Sequence, residues 1–210
     1  MNIIDLGLIE YDRALQVQLE TLERVIAKEE NNTLFLLEHY PVITLGRNGG
    51  LENLLVDRAM LAQKGVRVVK ASRGGNITCH FPGQLVFYPI FKLERKKGGI
   101  KRFFYELEEV VIQVLKKYEI SAERIENKAG VFVAGKKIAS MGIAVRKWVS
   151  YHGVALNLVN DLSLFEFINP CGLNGIEMTS IHRERGDFYP DMSKLKEDIV
   201  HEFRKTIASA

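Results

Sequence analysis

The sequence of 210 residues has two cysteines and no long apolar run. Nothing in it approaches the ~18 uninterrupted apolar residues that a membrane helix requires, so we expect no membrane segment. Its first residues, Met-Asn-Ile-Ile-Asp, lack the basic lead and the apolar stretch of an export signal. We therefore expect a cytoplasmic protein in which Cys79 and Cys171 are reduced thiols rather than a disulfide.

The sequence also lacks a strong net charge and the motifs of metal and nucleotide sites. Its 29 basic and 26 acidic residues give +3, too little for the clustered basic surface that binds nucleic acid. The five histidines are His39, His80, His152, His182 and His201. No two of them have a zinc-motif spacing, and the cysteines do not complete one, so we expect no metal. The glycines that follow Arg73 match neither the phosphate loop nor the dinucleotide motif.

Apolar periodicity predicts three amphipathic helices, at residues 13–28, 101–118 and 194–207. The third helix follows Pro190, with Asp191 or Ser193 as its N-cap. No repeat, low-complexity tract or change of composition divides the chain. We therefore expect a single domain over residues 1–210.

Between the helices lie runs rich in branched and aromatic residues, which predict strands. These runs are residues 33–37, 42–45, 66–69 and 85–90, followed by a long meander over residues 131–158. A meander favours antiparallel pairing. The expected fold class is α/β of the α+β type, a largely antiparallel mixed sheet flanked by helices rather than a doubly wound parallel sheet.

The two sulfurs have different sequence surroundings. Cys171 lies between Pro170 and Gly172, where a turn would present its side chain to a substrate. A free cysteine is also common as a small buried hydrophobe, so both interpretations stay open. Cys79 precedes His80, but neighbouring side chains on a strand point to opposite faces. We therefore interpret Cys79 as a packed thiol.

A lysine pair begins one of the predicted strands. On a strand only one of Lys136 and Lys137 can face inward. Lys137 precedes Ile-Ala-Ser-Met-Gly, a run with small residues that leave room for a ligand. An inward lysine loses hydration, which favours the neutral amine and a role as a base. A solvated pair at a hairpin turn is the alternative.

Taken together, several segments resemble the lipoyl(octanoyl) transferase family. Residues 73–84, Arg-Gly-Gly-Asn-Ile-Thr-Cys-His-Phe-Pro-Gly-Gln, resemble its Arg-Gly-Gly…His-Gly-Pro-Gly-Gln signature. Residues 137–142 resemble its lysine segment, and residues 148–157 contain its His-Gly-x-Ala-Leu-Asn strand. Residues 169–172, Asn-Pro-Cys-Gly, are similar to its cysteine loop, and residues 38–47 fit its early strand and turn.

The resemblance implies a biotin/lipoate ligase-like domain that acts in the cytoplasm as a monomer and without a cofactor. It implies octanoyl transfer from octanoyl-acyl carrier protein to a lysine of apo-lipoyl domains, those of 2-oxoacid dehydrogenase complexes and of glycine cleavage H protein. The family's nucleophile falls on Cys171 and its activating lysine on Lys137. The implied acyl-binding residues are Arg73, Gly74, Gly75, Asn76, Ile77, Thr78, Cys79, His80, Ser140, Met141, Gly142, His152, Gly153, Val154 and Ala155.

Two positions depart from the family pattern, and two other functions compete. Cys79 replaces a usual aromatic residue, and Phe81 replaces a glycine. Since Phe81 precedes a proline, its backbone favours an extended form that glycine need not adopt, which leaves the acyl chain length open. The first alternative is an ATP-dependent lipoate or biotin ligase, which activates a free acid and needs no cysteine. The second is a non-catalytic acyl- or carrier-protein-binding module with an inert Cys171.

Overall fold

The computed structural model describes residues 1–94, 98–159, 161–169, 176–186 and 191–207. The strands are β1 (Asn2–Ile9), β2 (Thr33–His39), β3 (Val42–Leu45), β4 (Arg67–Lys70), β5 (Ile77–His80), β6 (Gln84–Ile90), β7 (Glu123–Ile125), β8 (Lys128–Val133), β9 (Lys136–Arg146) and β10 (Val149–Asn157). The helices are α1 (Tyr11–Ala27), α2 (Arg58–Gln63), α3 (Gly99–Lys117), α4 (Ile181–Arg185) and α5 (Met192–Thr206). Short 3-10 turns cover Leu51–Asn53 and Leu162–Phe167.

The strands form two sheets. Seven of them make a large sheet in the order β1-β2-β6-β10-β9-β8-β7, and three make a small sheet in the order β4-β3-β5. Among the described strands, β1–β2 and β3–β4 pair in parallel and the remaining pairs are antiparallel. The predicted mixed α/β class with a largely antiparallel sheet is therefore confirmed.

The large sheet is covered on both faces, which explains the continuous apolar runs of its central strands. Leu34 and Leu36 of β2 pack with α3 and α5. Phe35 and Leu37 alternate with them and pack with α1 on the other face. The three predicted helices are confirmed, and α5 begins at the N-cap Asp191, whose Oδ1 accepts from Ser193 N at 2.8 Å. Among the described residues, none of the helices combines the length and apolar character that a membrane crossing demands.

The sequence analysis did not predict three of the described strands, β1, β5 and β7. Strand β1 lies at the edge of the large sheet, where its side chains are half-buried or exposed and its register shifts around Gly7. Strand β5 lies inside the glycine-rich segment and has four residues. Strand β7 has three residues. All three strands lack the length or the apolar alternation that identifies a strand in a single sequence.

The small sheet lies against the large one through backbone contacts at glycines. Gly74 N donates to Ile143 O of β9 at 2.9 Å. A Cβ atom added to Gly142 would lie 2.6 Å from Gly74 O and 3.3 Å from Arg73 Cδ. The two sheets therefore approach as closely as they do because residue 142 has no side chain.

We expect Gly142→Ala to lower the free energy of unfolding by about 1–3 kcal/mol, because its methyl group meets a backbone carbonyl that cannot rotate away. Chemical denaturation measures this loss. Gly74→Ala is the matched control, since its Cβ would meet Ile143 O at a more tolerable 3.2 Å. Equal losses in the two variants would contradict the close approach at Gly142.

Candidate active site

A cavity of ≈ 290 Å³ lies between the two sheets. Its floor comes from three neighbouring strands of the large sheet, β6, β10 and β9, and its opposite wall comes from β5 and the residues before it. Apolar side chains such as Val86, Met141 and Val154 share the lining with Arg73 and His80. A cavity of this size with a few polar groups suits a small, mainly apolar ligand.

Lys137 and the predicted acyl-binding residues line this cavity, with the exceptions of Gly74 and Cys79. Residues 140–142 face residues 153–155 across the β9–β10 pair, because Gly142 pairs with Gly153 and Ser140 with Ala155. The opposite wall meets the floor where Thr78 Oγ1 donates to Ser140 Oγ at 3.4 Å. The structure thus brings residues 73–80 against the β9–β10 hairpin, although Thr78 and Ser140 are 62 residues apart.

Cys79 is a correction to the predicted cavity lining. Strand β5 alternates, so Thr78 and His80 point to the cavity side while Cys79 packs on the opposite face of the small sheet. Its thiol donates to Leu164 O at 3.5 Å, and burial raises the pKa of that thiol far above its usual value. The predicted divergence of Cys79 from His80 is confirmed. Gly74, the other exception, carries no side chain and is tied to β9 by its backbone.

The two departures from the family pattern lie together behind β5. Phe81 belongs to the same apolar cluster as Cys79, and its ring lies 5.7 Å from that of Phe165 in an edge-on arrangement. A small thiol and a large ring thus fill adjacent volumes in this cluster. Neither side chain is among the described residues that line the cavity.

Lys137 is the inward member of the lysine pair, as predicted. Its side chain is 2% exposed, and its Nζ lies 5.3 Å from the centroid of the Phe132 ring. Lys136 points outward and pairs with Glu177, with 3.3 Å between Nζ and Oε1. A Cβ at Gly130 would lie 2.5 Å from Ala139 O and 3.2 Å from Lys137 Cε, so the glycine allows close packing beside the lysine chain. The structure therefore holds one amine of the pair at the cavity.

The backbone of Lys137 is bonded to the chain that follows the predicted cysteine loop. Lys137 N donates to Glu177 O at 2.8 Å, and Thr179 N donates to Lys137 O at 2.9 Å. We call these two bonds the Lys137 clamp. On the other side of the loop, Asn169 N donates to Asn53 O at 2.8 Å. Cys171 itself lies outside the described residues, but the chain is anchored at 169 before it and at 177–179 after it.

Three buried histidines near the cavity are neutral. Burial lowers the pKa of His39 to about 4, and burial together with the charges of Arg73 and Arg47 lowers the pKa of His152 to about 3. The pKa of His80 falls well below its usual range, again mainly through burial. The cavity wall therefore offers hydrogen-bonding imidazoles without adding charge. The described ranges contain no group of three or more His, Cys, Asp or Glu side chains arranged to hold a metal ion.

Sequence reasoning missed part of the lining. The additional residues are Tyr11, Asn48, Val86, Tyr88, Asn127, Lys128 and Ala129. Val86 and Tyr88 stand two apart on β6, an alternation that places both on one face of a strand. Tyr11 begins α1 and gives no such signal. Within the described ranges its buried hydroxyl has no hydrogen-bond partner, and burial raises its pKa to about 12.

The chain matches the family model described as lipoyl protein ligase A/B catalytic domain over residues 10–204. It is 53% identical over 210 residues to an octanoyltransferase of Nitratidesulfovibrio vulgaris (strain DSM 19637 / Miyazaki F), covering 100% of this chain and 96% of the relative. It is 48% identical to an octanoyltransferase of Maridesulfovibrio salexigens, over 89% of this chain and 87% of the relative.

Solved structures with the same fold are more distant in sequence. A putative lipoate protein ligase of Thermoplasma acidophilum with bound lipoic acid superposes with a TM-score of 0.76 at 16% identity, covering 99% of this chain and 86% of the other. A biotin protein ligase of Aquifex aeolicus superposes with a TM-score of 0.56 at 13% identity, covering 100% and 70%. These likenesses confirm the predicted biotin/lipoate ligase-like fold.

We expect Tyr11→Phe to leave the free energy of unfolding unchanged or to raise it by up to about 1 kcal/mol, because it removes a buried hydroxyl that has no partner. Tyr88→Phe is the matched control. The Tyr88 hydroxyl lies 2.8 Å from His39 Nε2, whose ring donates through Nδ1 to Ile9 O. Loss of the Tyr88 hydroxyl should lower the free energy of unfolding by about 1–3 kcal/mol, because His39 Nε2 then has no hydrogen-bond donor. A larger loss at Tyr11 than at Tyr88 in chemical denaturation would contradict this assignment.

Proposed function

The chain belongs to the lipoyl protein ligase A/B catalytic domain family, and on that premise we propose that it is an octanoyltransferase. As a single-domain, monomeric acyltransferase of the cytoplasm, it takes octanoyl from acyl carrier protein and attaches it to a lysine of a lipoyl domain in protein lipoylation. The acceptors are the lipoyl domains of 2-oxoacid dehydrogenase complexes and the glycine cleavage H protein. Support comes from relatives that are 48% and 53% identical, both named octanoyltransferases.

The observation that carries the mechanism is the Lys137 clamp. It ties a buried lysine at the cavity edge to the chain six to eight residues beyond Cys171. In the proposed reaction Cys171 is the nucleophile, Lys137 is its base, and the cavity between the sheets holds the acyl chain. Each methylene buried there contributes about 0.8 kcal/mol, so the depth of the cavity sets the preferred chain length.

The first step is thioester exchange. Lys137 removes the proton of the Cys171 thiol, or as ammonium stabilises its thiolate. The sulfur attacks the carbonyl carbon of the carrier thioester. A new C–S bond to Cys171 forms while the C–S bond to the carrier breaks, and the carrier thiol leaves with the proton. Because the donor is already a thioester, an acyl-enzyme forms without ATP.

The second step transfers the acyl group to the acceptor. The neutral amine of the acceptor lysine attacks the acyl carbon of the thioester on Cys171. A C–N bond forms, the C–S bond breaks, and the proton lost by the amine passes through Lys137 to the departing sulfur. The amide product is stable, so the energy of the thioester drives the reaction forward.

The ligase alternative requires ATP, and a direct assay tests for that requirement. A lipoate or biotin ligase must first activate a free acid with ATP. The solved ligase structures share at most 16% identity with this chain among those described above, which supports the fold alone. Octanoyl transfer from carrier protein in ATP-free buffer supports the transferase, whereas transfer of free octanoate that depends on ATP supports the ligase.

We expect Lys137→Ala to lower octanoyl transfer by at least about a hundredfold, the usual scale for losing a general base. The measurement is transfer from octanoyl-acyl carrier protein to an apo-lipoyl domain, with folding checked by circular dichroism. Lys136→Ala is the matched control, because that side chain points outward to Glu177. Equal losses in the two variants, or near-normal transfer by Lys137→Ala, would refute the assignment of the base.

A further inference from the structure

A fully buried glutamine amide, Gln84, joins the cavity wall to the strand next to the Lys137 clamp. Gln84 begins β6 and is 0% exposed. Its Oε1 lies 2.8 Å from His80 Nδ1. Its Nε2 donates to Cys79 O at 3.2 Å and to Asn157 Oδ1 at 2.9 Å. The amide group thus has three partners, which lie on β5 and β10.

These partners determine which way the Gln84 amide points. Cys79 O and Asn157 Oδ1 are both acceptors, so the nitrogen of Gln84 must face them and its oxygen must face His80. His80 then carries its proton on Nδ1, and its Nε2 is free to accept from the Thr44 hydroxyl at 3.4 Å. If the amide were flipped, its oxygen would face the two acceptors Cys79 O and Asn157 Oδ1. The Nδ1–H of His80 would then have no acceptor.

Asn157 extends the same sequence of bonds to the lysine. Its Nδ2 donates to Thr179 O at 2.8 Å, and Thr179 N donates to Lys137 O at 2.9 Å. At the other end, Arg73 donates to Thr44 Oγ1 from Nη2 at 2.7 Å and from Nε at 3.1 Å. Hydrogen bonds thus connect a series of groups, which in order are Arg73, Thr44, His80, Gln84, Asn157, the Thr179 backbone and the Lys137 backbone.

Along this series from Arg73 to Thr179 O, each side chain donates a hydrogen bond to the next group. Hydrogen bonds aligned in this manner polarise one another and strengthen the whole set. The network also crosses between the sheets, since Thr44 and His80 belong to the small sheet and Gln84 and Asn157 to the large one. Arg73 and His80 line the acyl cavity at one end, and the clamp lies at the other.

We propose that Gln84 and Asn157 are positioning residues that hold Thr179, and through it the Lys137 backbone, so that the Lys137 amine stays aligned with the cavity. Neither side chain lines the cavity, so they act through the clamp rather than on the substrate. The inference rests on the proposed role of Lys137 as the base for Cys171. A displaced base loses much of its effect, because proton transfer requires hydrogen-bonding distance.

The test uses Asn157→Asp and Gln84→Glu in the full-length protein. Asn157→Asp keeps the oxygen that accepts from Gln84 but replaces the amide that donates to Thr179 O. Gln84→Glu keeps the oxygen that faces His80 but removes the donor to Asn157. Asn32→Asp is the matched control, because Asn32 is remote from the cavity and its Oδ1 accepts from Lys92 N, a bond that aspartate preserves. Asn157→Leu, of similar volume, provides the same test if the buried carboxylate prevents folding.

Two measurements distinguish a misaligned Lys137 amine from a general loss of protein stability. The first is steady-state transfer, where we expect kcat to fall by about tenfold or more while KM for octanoyl-acyl carrier protein changes little. The second is the pH dependence of alkylation of Cys171 by iodoacetamide, confirmed by peptide mapping. Cys79 is 1% exposed and does not compete for the reagent. A thiol activated by a lysine reacts with a midpoint below ~8.5, and a displaced lysine should move that midpoint upward.

Lys137→Ala serves as the benchmark that distinguishes the two hypotheses. If it shifts the alkylation midpoint and the Asn157 and Gln84 variants shift it in the same direction with reduced kcat, the positioning role is supported. If Lys137→Ala shifts the midpoint but the folded Asn157 and Gln84 variants behave like Asn32→Asp, the positioning role is overturned and the base stands. If the Asn157 and Gln84 variants change KM and leave kcat unaltered, the positioning role is also overturned. If Lys137→Ala changes neither readout, the proposed base and the positioning role both fail.

Discussion

The pairing of Lys137 with residues 177–179 is the constraint on which the rest of the site depends. Strand β10 pairs with β9 as far as Leu156 opposite Ala139, so the edge of β9 at Lys137 is left for another partner. Met178 takes that place and forms a parallel bridge to Lys137. Because the contact is made by backbone groups, it does not depend on a side-chain rotamer. The chain that emerges from the Cys171 segment is therefore fixed at the lysine proposed to activate the cysteine.

The cavity combines apolar walls with polar groups whose charge is controlled. Burial keeps the imidazoles of His39, His80 and His152 neutral, so these rings add no positive charge beside the cavity. Arg73 is buried, and its guanidinium group donates hydrogen bonds to Thr44 and to the Gly74 carbonyl. The lining that the structure describes therefore combines apolar side chains with neutral imidazoles and the buried Arg73.

Local pattern was sufficient for the features that depend on neighbours in sequence. Apolar spacing predicts α1, α3 and α5. The two-residue period of a strand predicts that only one of Lys136 and Lys137 faces inward and that Cys79 turns away from His80. The family motif misplaced Cys79, because a motif marks a segment and not the face on which each residue lies. The alternation of β5 decides that face, and β5 is too short to be recognised from its own four residues.

Long-range contacts were beyond the reach of the sequence. Gln84 and Asn157 are 73 residues apart, and their bond depends on the antiparallel register of β6 and β10. Tyr11 reaches the cavity because α1 packs across β10 and β6, which no spacing within residues 11–27 reveals. The close approach of Gly74 and Gly142 likewise exists only after two sheets have met. Each of these features follows from pairing and packing between distant segments rather than from propensity.

The acyl-enzyme itself is the most direct test of the central claim. Wild-type protein mixed with octanoyl-acyl carrier protein, without ATP and without acceptor, should gain the mass of one octanoyl group in intact mass spectrometry. The adduct should map to the peptide that contains Cys171 and be released by neutral hydroxylamine, because a thioester is cleaved under those conditions and an amide is not. An apo-lipoyl domain should then discharge it, with the same mass appearing on one acceptor lysine. Undiminished transfer by Cys171→Ala would contradict the account, since the acyl group would then pass directly from donor to acceptor.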